Sequence, residues 1–389
     1  MDANGFASLF VGFLREKPKV HARYLEVKLK SEKELCQRLG LDDHTSSKVA
    51  DAAFPYFASV MLPDCDYPEL EVCSKWMIWI FLFDDEFDNG HLRYDSHAAK
   101  ARLDKLRATM ANEPSEHESD GMMRIHLEIW NAIKQKDSFN GGMLAQIRYR
   151  KAMNGYCDGV LEHVRSSSRQ EVPTPEEYLE VRKLSSGCEP PYALVEYAYG
   201  LELSDDQVCE PSITKLKDVS TRIALLHNDM ISWRKEKIEK VLHNYINTLI
   251  KQGFSEKDAS AIMLDMVVAE HQKLSDCLED LATGKITEHH KMDIESVPRV
   301  PLANLYWSGT TALPVRKFLV DTIIYAGHAR CTNRNSALPK LRRRRRDNHE
   351  PGILGVLASR HTAFIAELDI TSWRASRHLR LAACVWILI

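Results

Sequence analysis

Apolar residues recur at three- and four-residue spacing over long stretches, which is the repeat of amphipathic α-helices. Tyr24, Val27 and Leu29 run into Leu35 and Leu39. Trp76, Ile80 and Phe83 lie one turn apart, and a mixed polar and apolar run extends from Leu225 to Leu249. Strand-like alternation bounded by Asn-Gly or Asp-Gly turns is scarce. Breaks are predicted at Pro63–Tyr67, Glu113–Asp120, Asp137–Gly142, Ser166–Pro175 and Pro298–Pro301, where Pro, Gly, Ser and Asp interrupt the period. No repeat of fixed length occurs. The pattern predicts an all-α body of about ten helices, long enough to enclose a central cavity rather than only a packed seam. Any one aromatic on these helices, taken singly, reads as core.

Length and charge refine this picture. The chain has 389 residues, enough for two or three domains or for one large helical domain with an appendage. With 44% hydrophobic and 28% charged residues, it is neither collagen-like, disordered nor a disulfide scaffold. A net charge of −3 excludes a polycation that binds nucleic acid along its whole length. No apolar run approaches the ~18 residues of a membrane span, so no stable membrane insertion is expected. The opening MDANGFASLFVGFLREK has no basic segment before its apolar run, unlike a secretory signal. Nine cysteines without a CxxC pair read as reduced thiols in small core positions, which implies a cytoplasmic location.

The charge is uneven. Residues 309–389 carry 14 Lys and Arg against 5 Asp and Glu, a net of +9, which leaves −12 on residues 1–308. The tail has 12 Arg and 2 Lys where the body has 15 Arg and 23 Lys. This break sets a boundary near Trp307–Ser308. It separates a body at 1–308 from an irregular, Arg-rich tail at 309–389. The run Arg342–Arg346 has three readings: a patch for nucleic acid, anionic lipid or nuclear import, a solvated disordered run, or mis-spliced or frame-shifted sequence that was never selected to fold. No nucleic acid is expected on the body.

Two polar constellations carry candidate chemistry. In FDDEFDNG, the acids Asp84, Asp85, Glu86 and Asp88 end the apolar helix KWMIWIFLF. Clustered carboxylates repel one another unless cations or water surround them. Asp84 and Asp88 lie four apart, on one helix face. Such oxygen ligands suit Mg2+, which keeps waters that bound phosphates can replace. In HNDMISWRKE, the residues Asn228, Ser232 and Glu236 stand at i, i+4 and i+8. Each step drifts only about 40°, so the three line one face over about 12 Å. An amide oxygen, a hydroxyl and a carboxylate, with one negative charge in all, make a chelate for a hard cation that also binds an anion. Lys235, at the edge of that face, can reach a phosphate. Either stripe alone also reads as a solvated polar surface.

Together, the aspartate-rich Asp84–Asp88 and the N-D-x-x-S-x-x-K-E of Asn228–Glu236 resemble class I terpene cyclases of the fungal type. Arg182 in YLEVRKLSSG lies 46 residues before Asn228, where this family places a diphosphate-sensing arginine. Ser185, Ser186 and Gly187 match the family's helix break, and Pro190 and Pro191 support a break there. FPYFASVMLPDCD is similar to the helix that ends in a P-D-A-D-type turn. The likeness covers about residues 15–308.

The resemblance implies a single terpene-synthase-like helical bundle around a central cavity. It implies an allylic prenyl diphosphate substrate, expected to be farnesyl diphosphate, and a sesquiterpene product. Three Mg2+ ions, held by Asp84 and Asp88 on one side and by Asn228, Ser232 and Glu236 on the other, would stabilise the departing diphosphate. Arg182 and Lys235 would bind phosphate oxygens, with Ser186 and Gly187 as linker and effector. Phe57, Phe81 and Trp307 would face the carbocation. A monomer or homodimer is expected.

One departure stands out. The family has an Arg-Tyr pair downstream of the second metal motif, but NLYWS (304–308) leads into GTTALPVRKFLVD, and no Arg-Tyr dipeptide follows Glu236. Arg316 could substitute, although Pro314 interrupts the helix that would present it. The alternative is therefore a catalytically impaired pseudoenzyme, or an anion-binding protein acting through its tail. A chain-elongating prenyltransferase would need a second aspartate-rich box in place of Asn228–Glu236. His271, His289 and His290 lack HExxH spacing, and no P-loop, GxGxxG or GxSxG element occurs.

Overall fold

Local chemistry sets where each helix starts and stops. The computed structural model describes residues 18–111, 120–139, 144–282 and 287–311. Among these it contains fifteen α-helices and no strand. In chain order they are α1 (Tyr24–Leu39), α2 (Asp43–Ala52), α3 (Phe54–Met61), α4 (Tyr67–Asp88), α5 (Ser96–Thr109), α6 (Gly121–Phe139), α7 (Leu144–Arg169), α8 (Pro175–Ser185), α9 (Glu189–Tyr199), α10 (Asp205–Val208), α11 (Pro211–Glu239), α12 (Tyr245–Lys251), α13 (Glu256–Ala282), α14 (Glu288–Ser296) and α15 (Arg299–Thr311).

The start of α8 illustrates the local control. Thr174 Oγ1 accepts from the Glu177 amide at 3.3 Å, and the Glu177 carboxylate accepts from the Thr174 amide at 2.9 Å. This reciprocal cap satisfies two otherwise unpaired amides ahead of Pro175. At the far end of α11, Lys240 adopts φ +55°. That left-handed turn stops the helix without a glycine.

The described residues form one compact unit. α4 packs against α1, α3 and α6; α11 packs against α13 and α15; α7 packs against α8 and α9; and α15 returns to α3. α4 is buried on most sides, from Leu70 to Phe87. Inside the bundle, Trp76 Nε1 donates to Tyr149 Oη at 2.8 Å, and Tyr149 lies 3.0 Å from His126 Nε2. His126 Nδ1 is 2.6 Å from Thr109 Oγ1, which donates to the Leu106 carbonyl. Burial lowers the His126 pKa to about 3. A neutral ring with its proton on Nδ1 satisfies every member of this chain.

Several sequence expectations change. Fifteen helices replace about ten, because α2, α3, α10, α12 and α14 are too short to show a sustained apolar period. Leu29 is 69% exposed and not core; two residues beyond buried Val27, it lies some 200° around the helix. α7 continues through Ser166 to Arg169, and both Ser166 and Ser167 are buried. The run from Leu225 to Leu249 is two helices, divided at Lys240. α15 starts at Arg299, so Pro301 sits in a first turn that does not need its missing amide hydrogen. The tail beyond Thr311, including Arg316 and Arg342–Arg346, lies outside the described residues. So do 112–119 and 140–143. No described helix is long and apolar enough to cross a membrane.

Candidate active site

The apolar sides of α4 orient its acidic end. Trp79, Ile80 and Phe83 are buried, so Asp84 turns inward and is only 6% exposed. Tyr156 of α7 donates to its Oδ1 at 2.6 Å. One turn later, Asp88 lies 3.9 Å from His163 Nδ1, also on α7. The other two acids go elsewhere. Glu86 takes a two-point contact from Arg102 at 2.7 and 2.8 Å, and Asp85 accepts from Asn89 at 3.1 Å.

The opposite wall is α11. Asn228, Ser232 and Glu236 are all buried, so this stripe is not a solvated surface. Arg182, from the last turn of α8, donates through Nη2 to Asn228 Oδ1 at 2.9 Å. Its Nε lies 3.5 Å from Asp229 Oδ1 and has no hydrogen-bond acceptor among the described residues. Ser232 Oγ donates weakly to the Asp229 carbonyl at 3.4 Å. Glu236 accepts from Asn244 Nδ2 at 2.7 Å. Lys235 Nζ sits 3.7 Å from Glu239. One cleft is lined by Asp88, Arg182 and Glu236 together, with Arg93, Tyr94, His163, Lys240 and His243 around them. Asp88 of the first motif and Glu236 of the second therefore line one cleft with Arg182.

Burial raises the Asp84 pKa well above the ordinary carboxyl range, and the charge of Asp88 adds to it; Tyr156 and Arg182 oppose the shift. Burial likewise raises Asp88, against the pull of Arg182, Arg93 and Lys235. Glu236 is pushed up to about 7 by burial and by Asp229. Burial works against the Arg182 cation, but Tyr178, Asp229, Asp88 and Glu236 outweigh it and raise its pKa. Crowded, poorly hydrated carboxyls are the condition that a divalent cation relieves. The donor chemistry suits a small hard ion: carboxylates at Asp84, Asp88 and Glu236, an amide oxygen at Asn228 and a hydroxyl at Ser232. Among the described residues no three His, Cys, Asp or Glu side chains converge on one point.

α8 ends three residues after Arg182. The Ser186 amide donates to the Arg182 carbonyl at 2.9 Å, Ser186 Oγ donates to the Lys183 carbonyl at 3.2 Å, and Gly187 turns at φ +65°. Pro190 and Pro191 then occupy the first turn of α9. α7 meets this break at Gly159: a Cβ there would lie 2.4 Å from the Ser185 amide nitrogen. Phe57, Phe81 and Trp307 are buried and cluster together. Trp307 lies 4.7 Å from Phe81 and 6.4 Å from Phe57, centroid to centroid. Phe54 completes the group, stacked on Phe81 at 4.4 Å.

Residues that sequence reasoning passed over support these groups. Asp229 accepts from Tyr178 Oη at 2.5 Å and from the Tyr245 amide at 2.9 Å. Asn244 bonds both Glu236 and the Asp229 carbonyl. Asp229 stood within the quoted motif, but the step from Asn228 rotates it about 100° off the ligand face. Asn244, Tyr156, Tyr178 and Gly159 carried no local signal.

The fold and site define an all-α protein in which two oxygen-rich helix segments meet around a buried arginine. The chain belongs to the terpene synthase family: the model described as terpene synthase family 2, C-terminal metal binding, matches residues 75–273. It is 28% identical over 255 residues to (+)-eremophilene synthase of Gibberella fujikuroi, covering 64% of this chain and 70% of that protein. To silphinene synthase of Penicillium patulum it is 30% identical over 261 residues, covering 64% and 68%. The crystal structure of germacradien-4-ol synthase from Streptomyces citricolor shares the fold, with a TM-score of 0.64, 15% identity, and coverage of 75% of this chain and 97% of that one. The matched family domain is a metal-binding one, which implies use of a divalent metal.

Proposed function

We propose that the chain is a Mg2+-dependent class I terpene cyclase that takes an allylic prenyl diphosphate, farnesyl diphosphate in particular, and releases a sesquiterpene and diphosphate. The observation that carries this reading is the cleft shared by Asp88, Arg182 and Glu236. The eremophilene and silphinene synthases among its relatives support it.

When bound, three Mg2+ ions would supply Lewis-acid stabilisation of the charge that grows on the leaving group. Asp84 and Asp88 would hold one side of the cluster, and Asn228, Ser232 and Glu236 the other. Arg182 and Lys235 would donate charge-assisted hydrogen bonds to phosphate oxygens. Ser186 and Gly187, at the end of the helix that bears Arg182, would link diphosphate binding to the cavity. Phe57, Phe81 and Trp307 would turn ring faces toward the cation once water is excluded. Released diphosphate can take the final proton, so no side-chain base is required.

Incubation with farnesyl diphosphate and Mg2+, followed by gas chromatography, tests this. A cyclic C15 hydrocarbon and free diphosphate, both lost on chelation, are expected. Failure to produce either one, together with no Mg2+-dependent binding of inorganic pyrophosphate, would overturn the proposal. The missing Arg-Tyr pair after Glu236 favours a second reading, an impaired chain. That reading predicts pyrophosphate binding with little or no hydrocarbon.

A further inference from the structure

The sequence contains three Arg-Tyr dipeptides, all upstream of the second motif: Arg23–Tyr24, Arg93–Tyr94 and Arg148–Tyr149. Two have their arginine committed. Arg23 contacts Glu26 through Nε at 2.8 Å and lies over the Tyr67 ring. Arg148 contacts Glu196 at 2.6 Å, Asp205 at 3.0 Å and the Leu203 carbonyl at 3.0 Å. Arg93 differs. Among the described residues its guanidinium makes no ion pair or side-chain hydrogen bond, and it lies over the Tyr94 ring, 5.1 Å from the centroid. Arg93 and Tyr94 also line the cleft that holds Asp88, Arg182 and Glu236.

The turn that carries Arg93 is anchored. The Leu92 amide donates to the Glu86 carbonyl at 3.1 Å, the Arg93 amide to Gly90 at 3.3 Å, and the Asp95 amide to Leu92 at 3.2 Å. Ser168 of α7 donates to the Tyr94 carbonyl at 2.9 Å. Leu92 is buried. The backbone at Arg93 is therefore held against α4 and α7, while its half-buried side chain stays uncommitted. Arg182, by contrast, already bonds Asn228. Lys240, the remaining cation of the lining, is exposed just past the end of α11.

We infer that Arg93 is a diphosphate-binding residue of this chain, supplying with Tyr94, from the turn after α4, the charged contact that the sequence lacks downstream of Glu236. This rests on the proposed function. A guanidinium offers two parallel N–H groups to a phosphate, and an anchored turn loses little freedom in presenting them. Arg93 shares its cleft with Asp88, so its charge would act on an anion bound beside that carboxylate.

Calorimetric titration with inorganic pyrophosphate in Mg2+ tests the inference without requiring turnover. Arg93→Gln is expected to weaken binding tenfold or more with unchanged helical content, and Arg93→Lys to weaken it less. Arg23→Gln should bind like the native chain. Native-like affinity in Arg93→Gln, within twofold, overturns this inference and leaves the proposed function standing if Arg182→Gln still loses binding. Should Arg93→Gln fail to fold, Arg93→Lys decides, and undiminished affinity there overturns the two-point contact. Absence of any Mg2+-dependent pyrophosphate binding by the native chain overturns both.

Discussion

Replacing Gly159 with alanine should destabilise this protein, although alanine is the better helix former. An alanine within α7 would gain about 0.8–1.0 kcal/mol of helix propensity. Its Cβ would lie 2.4 Å from the Ser185 nitrogen, 2.7 Å from Leu184 Cβ and 2.8 Å from the Leu184 carbonyl carbon. Two of these three atoms are backbone, so no rotamer change relieves the contact. Carbon contacts normally settle near 3.5–4.0 Å, so α7 and the end of α8 must separate by about 1 Å. Overpacking of this kind costs about 1–3 kcal/mol. With a rigid obstruction near the upper end, the net loss is about 1–2 kcal/mol. At roughly 2–4 °C per kcal/mol, the melting temperature should fall by several degrees. Arg182 lies three residues before Ser185, so its 2.9 Å bond to Asn228 should also lengthen, and pyrophosphate binding in Mg2+ should weaken. Gly155→Ala is the internal control. It lies one turn away on the same helix, and its Cβ meets only Leu184 Cδ2 at an ordinary 3.5 Å. Gly155→Ala should be neutral or stabilising by up to about 1 kcal/mol. Thermal unfolding followed by circular dichroism measures both. A Gly159→Ala melting temperature equal to or above the native one refutes the close-approach argument.

Other perturbations have defined outcomes. Asn244→Ala removes donors to Glu236 and Asp229 and the cap on Ile246, and should lose about 2–4 kcal/mol in urea unfolding; a loss under 1 kcal/mol would contradict it. Trp307→Ala empties the space beside Phe54, Phe57 and Phe81 and should cost about 3–5 kcal/mol, measured as a lower urea midpoint; an unshifted midpoint would show that the site collapses. Burial raises the Glu32 pKa to about 7 from 4.5, against the pull of Lys28. The folded chain thus holds a proton that the unfolded chain has lost between those values, and this group's contribution to stability falls as pH rises from 4.5 to 7. Glu32→Gln should match the native chain near pH 4.5 and exceed it at pH 8 by up to about 3 kcal/mol. Equal stability of the two chains at pH 8 would exclude the shift.

The candidate ligand residues were legible because each motif lies on one continuous helix. Asp84 and Asp88, and separately Asn228, Ser232 and Glu236, follow the helical period, so spacing alone put each set on a common face. The family's pattern singled out Arg182 as a diphosphate-sensing arginine, but its bond to Asn228 was not legible, since no local rule links residues on two helices. The apolar period was misleading at Leu29, where the pattern did not say which face meets the core, and across Lys240, where a non-glycine residue turns left-handed. Asp229, Asn244 and Tyr156 were missed for a common reason. Each acts on a partner from another element or an adjoining loop, and a hydrogen bond across a gap in sequence leaves no periodic trace.

The sequence by itself determined the all-α class, the two oxygen-rich faces, the family and the charge break near residue 308. Those properties follow from side-chain chemistry at fixed helical intervals. Only the tertiary structure decided that Asp88, Glu236 and Arg182 share one cleft, that Glu86 is committed to Arg102, and that Arg93 is the Arg-Tyr arginine without a carboxylate partner among the described residues. It alone revealed the place where Gly159 leaves room for the break after α8. Such facts depend on how separate helices pack, and packing is set by many weak contacts summed over the bundle rather than by any local interval.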